Sequence, residues 1–340
     1  MNQANTAQVV QFHTVGGHLQ LDEVPLPVPA KGEVRLRVKA IGINRVEELF
    51  WKGKYFIQPT VPSKVGVEAA GVVDAVGPDV DPSWVGKSVG TVPSFDMTVY
   101  GLAGNAAVVP VDVLAEYPAR LSFEQGASIW MSYLTAYGAL IQNKQFSKGD
   151  FVLLTAASSS MGLAAINLAK AEGAIVIATT RTQAKKQELL GLGADHVIVT
   201  QDEDLVAGVK EITGGIGARV VLDPIAGKGL PALAQATATG GTIIVAGYLG
   251  ADMFGYVDGQ PTPFPFIDAV GRNLNVRGYN AQGLMRDPAA VAVAKRYVYD
   301  LFAKGSVAPK IDKVFPLSHI EDAYEYLNGN GQIGKIVVVP

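Results

Sequence analysis

The 340-residue chain has no cysteine and only four histidines. Without cysteine there are no disulfides, no thiolate metal ligands and no cysteine nucleophile. The compartment stays open on this count, because reducing and oxidising surroundings both tolerate a thiol-free chain. His13, His18, His196 and His319 are scattered without metal-ligand spacing, and a structural role is the expectation for each. An excess of positive charge is missing as well. Lysine and arginine total 28 against 31 acidic residues, a net charge of -3, which leaves no footprint for nucleic acid or an anionic membrane. No apolar run approaches the roughly 20 residues of a membrane span. Met1 to Phe12 lacks the basic start and the apolar core of a secretory signal. The expected home is the cytoplasm, with neither nucleic acid nor membrane as partner.

What is present is an ordinary globular balance, 49% hydrophobic and 17% charged, on a length that suits about two domains. The first third reads as β-structure. From Glu33 to Ala40 the residues alternate strictly, Val34, Leu36, Val38 and Ala40 on one face and Glu33, Arg35, Arg37 and Lys39 on the other. That is the period-2 signature of a half-buried strand. Further short apolar runs separated by Gly and Pro imply a barrel-like domain.

After about Leu121 the pattern changes. Apolar runs at 151–155, 175–180, 196–199, 219–222 and 242–246 alternate with helical stretches through Lys170 and at 182–190, 204–212 and 230–238. Strands alternating with helices imply βαβ units and a parallel sheet covered on both faces. The tail adds a helix with apolar spacing at Val291, Ala294, Val298 and Leu301, a shorter one through Ile320 and Leu327, and a closing strand at 336–339.

A parallel α/β sheet binds ligands beyond the carboxyl ends of its strands, where helix N-termini offer N–H groups to anions. The first strand-turn-helix runs Phe151 to Thr155, then Ala-Ala-Ser-Ser-Ser-Met-Gly162, then a helix to Lys170. The turn lacks the full G-x-G-x-x-G pattern, with Ser159 where the middle glycine would stand. A serine-capped helix start and a pyrophosphate site are equally good readings of it. The second strand ends in Thr180 and Arg181, with Lys185 one helical turn on. A fold that binds NAD usually has Asp or Glu there, to hold the ribose 2′-hydroxyl. Cations at that place attract a 2′-phosphate instead, which favours NADP(H), although a solvated helix face has the same composition.

Several motifs, in order, carry a likeness to a known family: Ala40-Ile-Gly-Ile-Asn44, Gly53-Lys-Tyr55, Gly66-Val-Glu-Ala-Ala-Gly71, Leu134-Thr-Ala136, the 156–162 turn, Gly193-Ala-Asp-His-Val-Ile198 and Gly334-Lys-Ile-Val337. The chain resembles the medium-chain dehydrogenase/reductase superfamily, in its zinc-independent quinone oxidoreductase-like branch. The resemblance implies an α/β protein with a barrel-like (GroES-like) catalytic domain over 1–126, completed by about 267–340, and a doubly wound Rossmann domain over 127–266 that binds NADP(H). It also implies an active site in the cleft between them and a homodimer. In the zinc branch a Gly-His-Glu triplet supplies a ligand, but here the triplet is Gly66-Val67-Glu68, so no metal is expected. The chain departs from its branch at Ser159 and Ser160, where glycines are common, and at Gly86-Lys-Ser-Val89.

By the same resemblance Asn44 and Thr135 stand near the nicotinamide, with the Ala246-Gly247 backbone beneath its ring and Ile225 lining the same cleft. Ser159, Ser160, Met161 and Gly162 face the pyrophosphate, and Thr180, Arg181 and Lys185 the adenosine ribose. Without a metal to polarise a carbonyl, the small-molecule substrate must already be a good hydride acceptor, such as a quinone or a conjugated enone. Tyr55 and Asn44 are the candidate donors to the developing oxyanion. Tyr55 reads equally well as a packed aromatic, and Asn44 as a turn-fixing residue. Trp130, Tyr133 and Tyr248 line the substrate or fill the core, and Glu68 is expected in a buried pair rather than in catalysis. Enoyl-thioester reduction, a non-catalytic NADPH-binding role and a methyltransferase are the alternatives. The last would usually have an acid where Arg181 stands.

Overall fold

The alternation at 33–40 becomes a ten-residue strand, Glu33–Gly42, with Val34, Leu36, Val38 and Ala40 buried and Arg37 and Lys39 exposed. It lies at the centre of a seven-stranded sheet. One edge pairs antiparallel with Ala69–Val76; the other is shared between Ala106–Pro110 and the C-terminal strand Lys335–Val339. Val338 sits opposite Ile41, so the last residues of the chain complete a sheet begun near its start. The structure, a computed structural model, describes residues 5–305 and 307–340. It divides into two compact units, one reaching to Ser132 and resuming as Val291–Pro340, the other Tyr133–Ala290.

The core of the first unit gathers Phe12, Leu36, Ile41, Phe50, Leu102 and Ile336, all almost fully buried. Each such side chain stabilises the fold by about 1.5–3 kcal/mol through burial alone. Phe50 comes from a short helix, Arg45–Trp51. Glu47 starts that helix by accepting the Asn44 N–H on its carboxylate, one half of a capping box. Gly53, at φ +65°, closes it in the left-handed conformation that glycine adopts without strain.

The second unit is a six-stranded, wholly parallel sheet in the order His196–Val199, Ile175–Thr180, Phe151–Leu154, Ala218–Asp223, Thr237–Val245, Asn275–Gly278. The order reverses at the 151–154 strand, as in a Rossmann fold. Helices Ser160–Ala171, Leu205–Ile212 and Leu230–Ala236 fall in the stretches the sequence marked. The last ends two residues early, and its strand begins at Thr237 rather than Thr242. The cause is a bulge. Ala218 pairs with Thr237 and Val220 with Thr242, the extra residues being turned out through Gly240 at φ +70°.

Candidate cofactor and substrate site

At the carboxyl end of the 151–154 strand the chain enters a tight turn with Ala156 at φ +46°. A Cβ on Gly162 would lie 2.5 Å from the Ala157 carbonyl oxygen and 2.6 Å from that of Ala156. Only glycine therefore lets the Ser160–Ala171 helix start this close to the turn. Ser159 is its N-cap, with its Oγ accepting the Gly162 N–H at 3.0 Å. The capping role weighed from the sequence is thus present. Ser160 and Met161 occupy the first turn, where N–H groups have no partner within the helix.

Lys185 reaches this turn from the far side of the second strand, donating from Nζ to Ser158 Oγ at 3.1 Å. Thr180 is buried at the strand end, while Arg181 is exposed. The fold therefore gathers Ser158, Ser159, Gly162 and Lys185 in one place, and Arg181 stands beside them in solvent.

A second cluster forms at the ends of the next two strands. The Ala246 N–H donates to the Asp223 carbonyl at 2.8 Å, and a Cβ on Gly247 would lie 2.6 Å from the Pro224 carbonyl oxygen. Ile225 sits on the adjoining loop and is partly exposed. Thr135 is half-buried on the Trp130–Leu140 helix. On that helix Trp130 and Tyr133 are core residues. Both are almost fully buried, and the Tyr133 hydroxyl accepts from Asn167 Nδ2 at 2.7 Å. Tyr248 is half-buried.

In the first unit Asn44 is buried within a polar network. Its Nδ2 donates to the Gly42 carbonyl at 2.9 Å, with Glu68 Oε2 at 3.4 Å, and its Oδ1 accepts from Lys335 Nζ at 2.6 Å. Glu68, expected in a buried pair, accepts from Lys335 Nζ at 2.6 Å and from the Met131 N–H at 3.0 Å. Glu47 accepts from Val67 N–H at 2.8 Å and from the Tyr324 hydroxyl at 2.7 Å. Burial raises the Glu47 carboxyl and lifts the Tyr324 phenol well above their ordinary ranges. Tyr55 is half-buried, packed on the core and tilted against Phe56 with ring centroids 5.3 Å apart.

Lys335, Glu47, Tyr324 and Asp223 did not emerge from the sequence as site residues. The spacing Asn44-Arg-Val-Glu47 is a capping-box signal, and Lys335 lies inside the Gly334–Val337 motif. Tyr324 carried only the apolar spacing of its helix. Asp223 shows simply as an acid ending an apolar strand.

Residues 30–119 match the alcohol dehydrogenase GroES-like domain and residues 160–295 match the zinc-binding dehydrogenase family. Quinone oxidoreductase 1 of Escherichia coli strain K12 is 31% identical over 337 residues, covering 97% of this chain and 99% of that protein. The chain belongs to the quinone oxidoreductase-like branch of the medium-chain dehydrogenase/reductase superfamily. The 2-haloacrylate reductase of a Burkholderia species is 30% identical over 339 residues, covering 97% of this chain and 98% of that one. Among solved structures, Escherichia coli quinone oxidoreductase complexed with NADPH superposes with a TM-score of 0.86 at 30% identity, over 98% of this chain and 100% of that one.

The matched family's description names zinc, and the residues here do not fit it. Cysteine is absent, Val67 offers only hydrocarbon where the metal branch has histidine, and among the described residues no three of His, Asp and Glu are grouped so that they could hold a metal ion. His13 and His319 instead pair with Asp22 and Asp322, each at 2.8 Å. Among the described residues, no helix is long and apolar enough to cross a membrane.

Proposed function

We propose that the protein is a zinc-independent, NADPH-dependent oxidoreductase that transfers hydride to a quinone or an α,β-unsaturated carbonyl compound. The observation that carries this reading is the turn at 155–162, with Lys185 drawn onto it, in a chain similar end to end to a quinone oxidoreductase complexed with NADPH. The residues suit that cofactor. A cradle closed to any side chain at Gly162, serine hydroxyls and first-turn N–H groups form an anion site at a helix N-terminus. A cation beside the second strand is the partner a 2′-phosphate requires.

In this reading Ser159, Ser160, Met161 and Gly162 hold the pyrophosphate. Thr180, Arg181 and Lys185 hold the adenosine ribose and its 2′-phosphate. Ile225, Ala246, Gly247, Thr135 and Asn44 frame the nicotinamide. When bound, the nicotinamide supplies a hydride, and the acceptor completes its reduction with a proton from solvent. Tyr55 and Asn44 serve as the donors that steady negative charge on the acceptor's oxygen. The Asn44 amide is turned toward Gly42 and Glu68. An acceptor activated by its own conjugation needs no Lewis acid, in keeping with Val67 where the zinc branch has its histidine ligand.

The small-molecule substrate and a cytoplasmic location remain parts of this proposal, as does assembly as a homodimer. The last is supported by exposed Phe264, Phe266 and Ile267, which precede the Asn275–Gly278 strand at one end of the sheet. The decisive experiment follows loss of NADPH absorbance with a panel of quinones, enals and enones. Turnover with none of them, alongside tight NADPH binding, would leave a non-catalytic binding protein as the reading.

A further inference from the structure

Asp223 ends the 218–223 strand with its side chain 1% exposed and three donors on its carboxylate. Thr155 Oγ1 and the Ile225 N–H (3.2 Å) donate to Oδ1, and the Ala226 N–H donates to Oδ2 at 2.8 Å. Thr155 opens the turn that leads to Gly162, so one carboxylate joins that turn to the next loop. The loop is strained. Ala226 has φ +57° and ψ -148°, a conformation that essentially only glycine adopts freely. The neighbouring segment locks onto it, Leu249 N–H donating to the Pro224 carbonyl and Gly250 N–H to that of Ile225 at 2.7 Å.

Such strain persists only where the surroundings over-determine the backbone, and here Asp223 holds the Ile225 and Ala226 N–H groups while the 249–250 segment holds the carbonyls before them. We propose that Asp223 is a positioning residue. It clamps Pro224–Gly227 in its strained shape and so fixes Ile225 and Ala246-Gly247 relative to the turn after Thr155. This deepens the functional reading above and rests on it, because those groups are assigned there to the two ends of one dinucleotide. Burial raises the Asp223 carboxyl above its ordinary range, and three converging donors favour the ionised form.

The test compares the unaltered protein with Asp223→Asn, Ala226→Gly and the double variant. NADPH affinity, the kcat and KM for a simple quinone, and amide exchange of Ile225 and Ala226 without cofactor are measured. An amide has one acceptor oxygen where the carboxylate has two, so Asp223→Asn leaves a donor facing an NH2 group. It should weaken NADPH binding by about tenfold or more, the scale of one lost charged hydrogen bond, and speed exchange at both amides. Ala226→Gly should raise the melting temperature of the cofactor-free protein by removing the strain. The double variant should recover most of the NADPH affinity, since a relaxed loop needs no clamp.

Equal NADPH affinity in Asp223→Asn and the unaltered protein would overturn the inference alone, and so would a double variant no better than Asp223→Asn. If the unaltered protein fails to bind NADPH, the functional reading falls and this inference falls with it. Should Asp223→Asn not fold, Thr155→Val removes one donor at nearly constant shape and supports the same comparison at smaller amplitude.

Discussion

Lys335 Nζ lies 2.6 Å from Glu68 Oε2, with the two side chains only 1% and 0% exposed. Such a pair is kept by its geometry rather than by net gain, because removing two charges from water costs nearly what their attraction returns. The same ammonium holds Asn44 Oδ1 at 2.6 Å, and the second oxygen of Glu68 accepts from Met131 N–H. One C-terminal lysine thus sets the orientation of an amide almost three hundred residues earlier.

Breaking that pair from one side leaves a buried carboxylate without its counter-charge. Lys335→Met should destabilise the protein by about 3–5 kcal/mol. Adding Glu68→Gln should recover much of the loss, because no unpaired charge then remains. Denaturant midpoints of the three variants and the unaltered protein decide it. A midpoint for Lys335→Met equal to that of the unaltered protein would contradict the burial argument.

Glu47 gives a pH dependence of definite sign. Burial raises its carboxyl above the ordinary value of 4.5, opposed by the Asn44 and Val67 N–H groups, the Tyr324 hydroxyl and the charge of Lys335. Above pH 4.5 the folded state keeps a proton that the unfolded chain has lost, so this contribution falls as pH rises. Relative to Glu47→Gln, the unaltered protein should be most stable below that pH and lose ground upward through the folded pKa. Paired thermal melts across the range measure the difference. A difference that grows with pH would reverse the assignment.

Much of this architecture was legible because periodicity reports burial. The alternation at 33–40 translates directly into which face is wet, and the unbroken apolar runs of the parallel sheet into strands buried on both faces. The bulge at Thr237–Thr242 was not, since it depends on pairing with the 218–223 strand, a non-local partner. The small hairpin Tyr256–Val257 with Gln260–Pro261 carries a local signal, Asp258-Gly259, both at positive φ, in a two-residue turn. At the candidate site, glycines and caps were visible as residue types at a spacing. The Lys335, Glu68 and Asn44 network was not, because 267 residues separate the lysine from the glutamate and only the fold joins them.

Cofactor choice should rest more on Lys185 than on Arg181, because Lys185 already touches the turn at Ser158 while Arg181 is exposed. Lys185→Ala should cost NADPH binding about 1.5–3 kcal/mol, and Arg181→Ala a smaller part of that range, with NADH affinity nearly unchanged in both. Fluorescence titrations with the two nucleotides test it. Equal affinity of the unaltered protein for NADPH and NADH would remove the 2′-phosphate from the argument.

Metal should be dispensable. Val67 and the absence of cysteine remove the ligands of the zinc branch, so protein purified without added metal should be fully active and indifferent to chelators. Elemental analysis paired with activity checks this. Stoichiometric zinc whose removal abolishes turnover would overturn it.

Tyr55 separates chemistry from packing. If its hydroxyl donates to the developing oxyanion, Tyr55→Phe lowers kcat on an enone and leaves NADPH affinity intact. Loss of one such donor costs roughly 2.7–4 kcal/mol of barrier in a closed site, and less where water can substitute. Tyr55 is only half-buried, so the lower part of that scale or below is expected. Quinones should lose less than enones, because they accept hydride with less help at the oxygen. The ring itself packs on the core beside Phe56, and phenylalanine keeps that contact. The variant creates no cavity, so the melting temperature should fall far less than for removal of the whole ring. Unchanged kcat on every accepted substrate takes Tyr55 out of the mechanism. A fall in kcat that tracks a large fall in melting temperature assigns the residue to packing, and Asn44 or water then becomes the donor to examine.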